Sequence, residues 1–153
     1  MLGVKSRTDA LKGYVQRVTD PNIPGQIASD LFKFGAIMTC GTVERCVEVI
    51  ILERLSKKAH PKVLSFIKSH FKKGTNYDCE AILELLGRFD EKWRSELEAY
   101  LIQNPSLGAS LTSCYAVRNP IAHGASASLG GARLKKISDD AILLIEALEI
   151  VTA

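Results

Sequence analysis

Residues 26–57 read QIASDLFKFGAIMTCGTVERCVEVIILERLSK, and their periodicity decides the fold. Ile27, Leu31, Phe34 and Met38 follow one another at steps of four, three and four, and Val43, Val47, Ile50, Ile51 and Leu55 continue the face. That spacing is the signature of an α-helix and not the alternation of a half-buried strand. Gly35 and Gly41 are expected to kink this long helix or to admit a close neighbour.

The same period extends outward in both directions. On the N-terminal side, Leu11, Val15 and Val18 share one face of a helix over about Ser6 to Val18. Two prolines and a glycine in Asp20-Pro21-Asn22-Ile23-Pro24-Gly25 then break the chain. On the C-terminal side, Pro61 suits a first helical position. The helix it opens is expected to turn Val63, Leu64, Ile67 and Phe71 inward and to end at Gly74. Thr75-Asn76-Tyr77-Asp78 reads as a loop and helix start, followed by a stripe of Ile82, Leu85, Leu86 and Phe89. Asp90 can cap a helix bearing Trp93, Leu97, Tyr100 and Leu101, which stops at Asn104-Pro105. A further helix spans about Leu107 to His123, with Gly124 as terminator. Gly124 to Ala132 is nearly all Gly, Ala and Ser and reads as a loop, after which Ser138 and Asp139 start the last helix. The expectation is an all-α, single-domain bundle of about seven helices. Residues 1–25 form its N-terminal helix and loop, and residues 26–153 its main helical body around one core.

Composition agrees with that size and class. The 153 residues are 46% apolar and 24% charged, a globular balance that excludes wholesale disorder. No apolar run approaches the ~20 residues of a membrane helix, and no secretory signal is visible, so a cytoplasmic protein without a membrane partner is expected. Cys40, Cys46, Cys79 and Cys114 form no Cys-x-x-Cys pair, so reduced, mostly buried thiols are expected rather than a metal site. Net charge is only +3, but it is segregated. From Arg54 to Lys73 there are seven basic residues and no acidic one, whereas Asp78 to Glu98 holds seven acidic and three basic. A basic surface for phosphates and a pair of solvated helix faces both fit that pattern.

The segment richest in chemistry is Tyr115-Ala116-Val117-Arg118-Asn119-Pro120-Ile121-Ala122-His123-Gly124. Asn119 and His123 share a helix face, whereas Arg118 is turned from His123 by about 140° on a regular helix. The long arginine stem, a kink at Pro120, or a second copy of the helix across a dimer axis could each close that gap. Histidine moves protons near neutrality, arginine fits phosphate oxygens with a planar fork, and asparagine orients a hydroxyl, a phosphate or the imidazole. No carboxylate cluster adjoins the segment, which argues against a two-metal nuclease. The trio suits metal-free phosphodiester chemistry on RNA, whose own 2′-hydroxyl supplies the nucleophile. Spacing alone also fits a histidine that merely meets a helix dipole.

The whole segment Arg118-Asn119-Pro120-Ile121-Ala122-His123-Gly124 resembles the R-N-x-I-A-H-G stretch of the HEPN superfamily, whose hallmark is R-x(4–6)-H. The chain is also similar to the RiboL-PSP branch. Its Cys-Gly-x-x-Glu-like element is matched by Cys40-Gly41-Thr42-Val43-Glu44, and its Asn-containing turn by Thr75-Asn76-Tyr77. The likeness runs from about Leu31 to Val151, with Pro120 at the variable position. It implies a homodimer in which two such segments build one composite cleft, and a metal-independent endoribonuclease without cofactor. It further implies a toxin or phage-defence effector, with RNA as substrate and an antitoxin or sensor protein as a partner. Arg118, Asn119 and His123 are the implied site residues. Glu44 is added as a carboxylate that orients Arg118 or His123, though it also reads as an ordinary ion-paired helix residue. Arg54, Lys57 and Lys58 would guide RNA toward the cleft. The alternative is a non-catalytic HEPN-like module that binds nucleotide, RNA or a protein.

Overall fold

The computed structural model describes residues 1–56, 58–71, 76–125 and 127–153. Among them the chain forms seven α-helices and no strand. In order these are α1 (Leu2–Val18), α2 (Gly25–Ser56), α3 (Pro61–His70), α4 (Cys79–Gly87), α5 (Glu91–Gln103), α6 (Pro105–Ala122) and α7 (Gly131–Val151). Local chemistry sets most of the boundaries. The Asp20 carboxylate accepts from the Asn22 backbone N–H at 2.8 Å, closing an Asx turn ahead of Pro24. Asp78 caps α4 by accepting from the Ala81 N–H at 2.9 Å, and Asp90 caps α5 from the Lys92 N–H at 2.8 Å. Pro61 and Pro105 each open a helix, where a missing N–H removes nothing.

The long α2 is the axis of the bundle, with α1, α6 and α7 packed along it, α4 paired with α5, and α3 lying against α2. Val4, Leu11, Val15 and Val18 of α1 belong to the same core as Val43, Val47, Ile50 and Ile51 of α2 and Leu134, Leu144 and Leu148 of α7. The N-terminal helix is therefore built into the core it shares with residues 26–153. No helix among the described residues is long and apolar enough to cross a membrane.

Three expectations are corrected. Of the α2 stripe Ile27, Leu31, Phe34 and Met38, only Leu31 and Met38 pack against the core, both half-buried, while Ile27 is 55% and Phe34 51% exposed. The buried face carries Ala28, Gly35, Ala36, Thr39 and Cys40 instead. Small residues win because α7 comes so close. A Cβ on Gly35 would lie 2.7 Å from a Leu134 methyl, and the Thr39 hydroxyl, which donates to the Gly35 carbonyl at 2.8 Å, meets Ser138 Oγ at 3.0 Å. Next, α7 begins at Gly131, not at Ser138. Leu134, Ile137 and Ser138 are all buried, so the first two turns are held by packing despite a weak start. Finally, α3 buries no residue: Leu64 and Ile67 are half-buried and Val63 is exposed. The expected end of that helix, Gly74, lies outside the described residues.

Candidate functional site

The apolar face of α6 runs through Leu107, Leu111, Cys114, Tyr115 and Val117, all buried. That register leaves the last turn at the surface, with Arg118 and Asn119 half-buried and His123 exposed. The helix continues through Pro120 to Ala122 and closes in a Schellman turn. The Ala125 N–H donates to the Pro120 carbonyl at 2.8 Å and the Gly124 N–H to the Ile121 carbonyl at 3.1 Å. Gly124 takes φ +77°, the left-handed conformation such a turn requires. His123 is thus the C-cap residue, fixed at its backbone and free at its ring, which meets no hydrogen-bond partner among the described residues.

Arg118 is held differently. Its Nη1 donates to Asn76 Oδ1 at 3.0 Å and to Asn119 Oδ1 at 3.1 Å, while Nη2 stands 3.9 Å from Glu44 Oε1. Glu44 Oε1 in turn accepts from the Tyr115 hydroxyl at 3.3 Å, and Tyr115 Oη accepts from the Tyr77 backbone N–H at 2.9 Å. One network therefore ties α2, the segment before α4, and α6 together around a single guanidinium. Burial lifts the Glu44 carboxyl above the ordinary carboxylate range, and the opposing pulls of Arg118 and the Tyr115 hydroxyl do not cancel it. Burial, with the nearby Glu44 charge, also pushes the Tyr115 hydroxyl well up, so it stays a proton donor.

One helical turn back along both α2 and α6, Cys40 and Cys114 face each other with Sγ atoms 3.3 Å apart, and Cys114 Sγ lies 3.4 Å from the Ala36 carbonyl. The contact with Cys114 and burial raise the Cys40 thiol far above its usual range. Both cysteines are fully buried, and together they pack α2 against α6 beneath the ion pair.

The fold thus brings together Arg118, Asn119 and Glu44, while His123 stands on the same helix end without bonding to any of them. Arg54, expected among the RNA-guiding residues, bonds to the end of α7. Its Nη2 donates to the Glu149 carbonyl at 2.8 Å and its Nε to Thr152 Oγ1 at 3.3 Å, fastening the end of α7 to α2. Lys58 is exposed, and Lys57 lies outside the described residues. Two participants escaped sequence reasoning as site residues: Tyr115 and Asn76. Tyr115 lies three residues before Arg118 on a buried face, and a buried phenol calls for a polar partner. Asn76 lies in the turn that resembles the family's Asn-containing turn, but nothing local says that it meets Arg118. The sequence model of the RiboL-PSP-HEPN family matches residues 4–153. No curated protein and no solved structure matches the chain.

Proposed function

The chain belongs to the RiboL-PSP-HEPN family, and on that premise we propose that it is a metal-independent endoribonuclease whose active site is completed by a second copy of itself. The observation that carries this reading is a fixed guanidinium and an exposed imidazole at one helix end. A guanidinium has five N–H donors. Nη1 is engaged by the two asparagines, and Nη2 at 3.9 Å is too far from Glu44 for a hydrogen bond. Nε and Nη2 therefore remain for phosphate oxygens, and the clamp sets the fork before RNA arrives.

In the proposed reaction the 2′-oxygen attacks phosphorus, the bond to the 5′-oxygen breaks, and the products are a 2′,3′-cyclic phosphate and a 5′-hydroxyl. His123 takes the 2′-proton or gives one to the departing oxygen, and two copies provide one histidine for each role. Arg118 stabilises the charge that builds on the phosphorane. Asn119 and Glu44 position Arg118. Because Arg118 and His123 are turned about 140° apart on a regular helix, the Arg118 of one copy is proposed to serve beside the His123 of the other. As a free ribonuclease would harm its host, the role assigned is a toxin or phage-defence effector restrained by a partner protein.

The test is cleavage of a labelled structured RNA and a tRNA pool in chelator, with product ends mapped. Wild type should leave cyclic phosphate ends and spare the same oligonucleotide made as DNA. His123→Ala and Arg118→Ala should each lose several orders of magnitude in rate while staying folded. Mixing the two inactive variants should restore part of the activity if the site is shared between copies. Cleavage of DNA, or an absolute need for added metal, would sink the mechanism. A folded protein that binds RNA in chelator and never cuts it would be the non-catalytic module.

A further inference from the structure

A cavity of about 240 Å³ lies between the end of α3 and the outer face of α4. Its walls are His70, Phe71, Tyr77 and Leu85, and the exposed Glu84 and Arg88 also line it. It adjoins the Arg118 site through two consecutive residues. Tyr77 lines the cavity and gives its N–H to Tyr115, while its neighbour Asn76 accepts from Arg118. The cavity and the guanidinium are thus joined through adjacent residues of one segment, which lets a single bound RNA strand be considered for both.

Size and chemistry narrow the ligand. The volume falls below the ~300–1,000 Å³ that holds a drug-sized molecule, so one flat ring system fits and a whole nucleotide does not. Aromatic and aliphatic walls suit stacking, as in single-strand RNA sites. Glu84 and Arg88 stand four residues apart on one face of α4, so they reach the cavity side by side. Neither side chain has a hydrogen bond or ion pair among the described residues, so an acceptor pair and a donor fork are both open. A carboxylate accepts two parallel N–H bonds, and a guanidinium donates two. Among the four RNA bases only guanine offers two adjacent donors, N1–H and N2–H₂, on one edge and two adjacent acceptors, O6 and N7, on another.

We infer that the α3–α4 cavity is a base subsite that takes an unpaired guanine next to the phosphate held by Arg118, with Glu84 on its N1–H and N2–H₂ and Arg88 on O6 and N7. The subsite deepens the ribonuclease reading and rests on it for the adjoining phosphate. It gives the site a sequence preference, and it restricts the substrate to loops, bulges and single strands, where both edges of the base are open.

The test separates base recognition from cutting. Full-length His123→Ala protein is titrated into fluorescent hexauridine oligonucleotides carrying one central guanine, inosine, 7-deazaguanine, adenine, cytosine or uracil, in chelator. The guanine oligonucleotide should bind roughly 10- to 100-fold tighter than those with adenine, cytosine or uracil, the discrimination of one good bidentate contact. Inosine lacks the N2 amino group and should lose most of that advantage, and the loss should vanish when Glu84→Ala, which removes the acceptor, is added. 7-Deazaguanine lacks N7, and its loss should vanish when Arg88→Ala is added. Both residues are exposed, and circular dichroism checks that the variants fold. Equal affinity for all bases, or an inosine loss that survives Glu84→Ala, would overturn the subsite. Cleavage of the same oligonucleotides by wild type tests the enzyme separately. Selective guanine binding without cutting keeps the subsite and removes the ribonuclease. Cutting without base preference does the reverse, and absence of any RNA binding removes both.

Discussion

Tyr115→Phe isolates the hydroxyl on which the Arg118 clamp depends. The substitution keeps the ring and leaves no cavity, so its effect is that of two hydrogen bonds. One is the bond from the Tyr77 N–H at 2.9 Å, of ordinary length, and the other is the bond to Glu44 at 3.3 Å, long for an O–H donor. The first contributes about 1 kcal/mol and the second a similar amount, its charged acceptor offsetting its length. The expected loss is ~2 kcal/mol. For a chain of this size each kcal/mol moves the thermal midpoint by ~2–4 °C, so unfolding followed by circular dichroism should shift down by ~4–8 °C. Tyr100→Phe is the control. That phenol is half-buried on α5 and its hydroxyl has no partner among the described residues, so its change should stay within ~0.5 kcal/mol. The cleavage rate should fall by more than stability alone predicts, because the segment carrying Asn76 loses its anchor and misplacement of a positioned group by ~1 Å can cost 10²-fold. A Tyr115→Phe midpoint within about 1 °C of wild type would refute the argument that this hydroxyl holds the network.

Four further outcomes follow from the same geometry. Burial raises the Glu44 carboxyl in the folded chain, so between its unfolded and folded values the folded state holds the extra proton and stability falls as pH rises. Glu44→Gln should therefore gain stability relative to wild type between pH 4 and pH 7 in urea unfolding, and a gain larger at pH 4 would contradict it. Gly124→Ala forces a side chain into φ +77° and should lose ~1–2 kcal/mol in the same assay, whereas Gly124→Asn should recover part of it. Two glycines of α2 should respond with opposite signs. Gly41→Ala meets open space and should gain up to ~1 kcal/mol, but Gly35→Ala meets the buried Leu134 and should lose ~1–3 kcal/mol, read as shifts in the thermal midpoint. Burial pushes the Cys46 and Cys79 thiols up to about 11 and Cys40 higher still, so iodoacetamide at neutral pH should label native protein slowly and all four cysteines quickly in denaturant. Fast labelling of native Cys40 or Cys114 would show that α2 and α6 open readily.

Much of the fold was legible because its causes are local. Asp78 and Asp90 cap the helices expected of them, and Pro61, Pro105 and Gly124 stand at the boundaries where their backbone constraints belong. The misread elements share a different cause. Ile27 and Phe34 are large, apolar and at helical spacing, which by itself points inward. Packing instead favoured the small Gly35, Ala36 and Cys40, which let α7 and α6 approach. The start of α7 is hidden in the sequence for the same reason, since Gly131 and Ala132 have loop composition and only the packing of Leu134 beside Gly35 makes them helical. Within the candidate site, Arg118, Asn119 and His123 are legible as candidates because one short segment carries all three.

The sequence by itself determined the helical class, the breaks between helices and the placing of Arg118 and His123 on one helix end. Each follows from a period, a cap or a backbone restriction acting within a few residues. Only the tertiary structure decided that Glu44 and Asn76 meet Arg118, that Tyr115 joins Glu44 to the Tyr77 backbone, and that Arg54 fastens α7. Those contacts depend on how closely and at which face the helices pack, and that depends on the summed fit of the whole core.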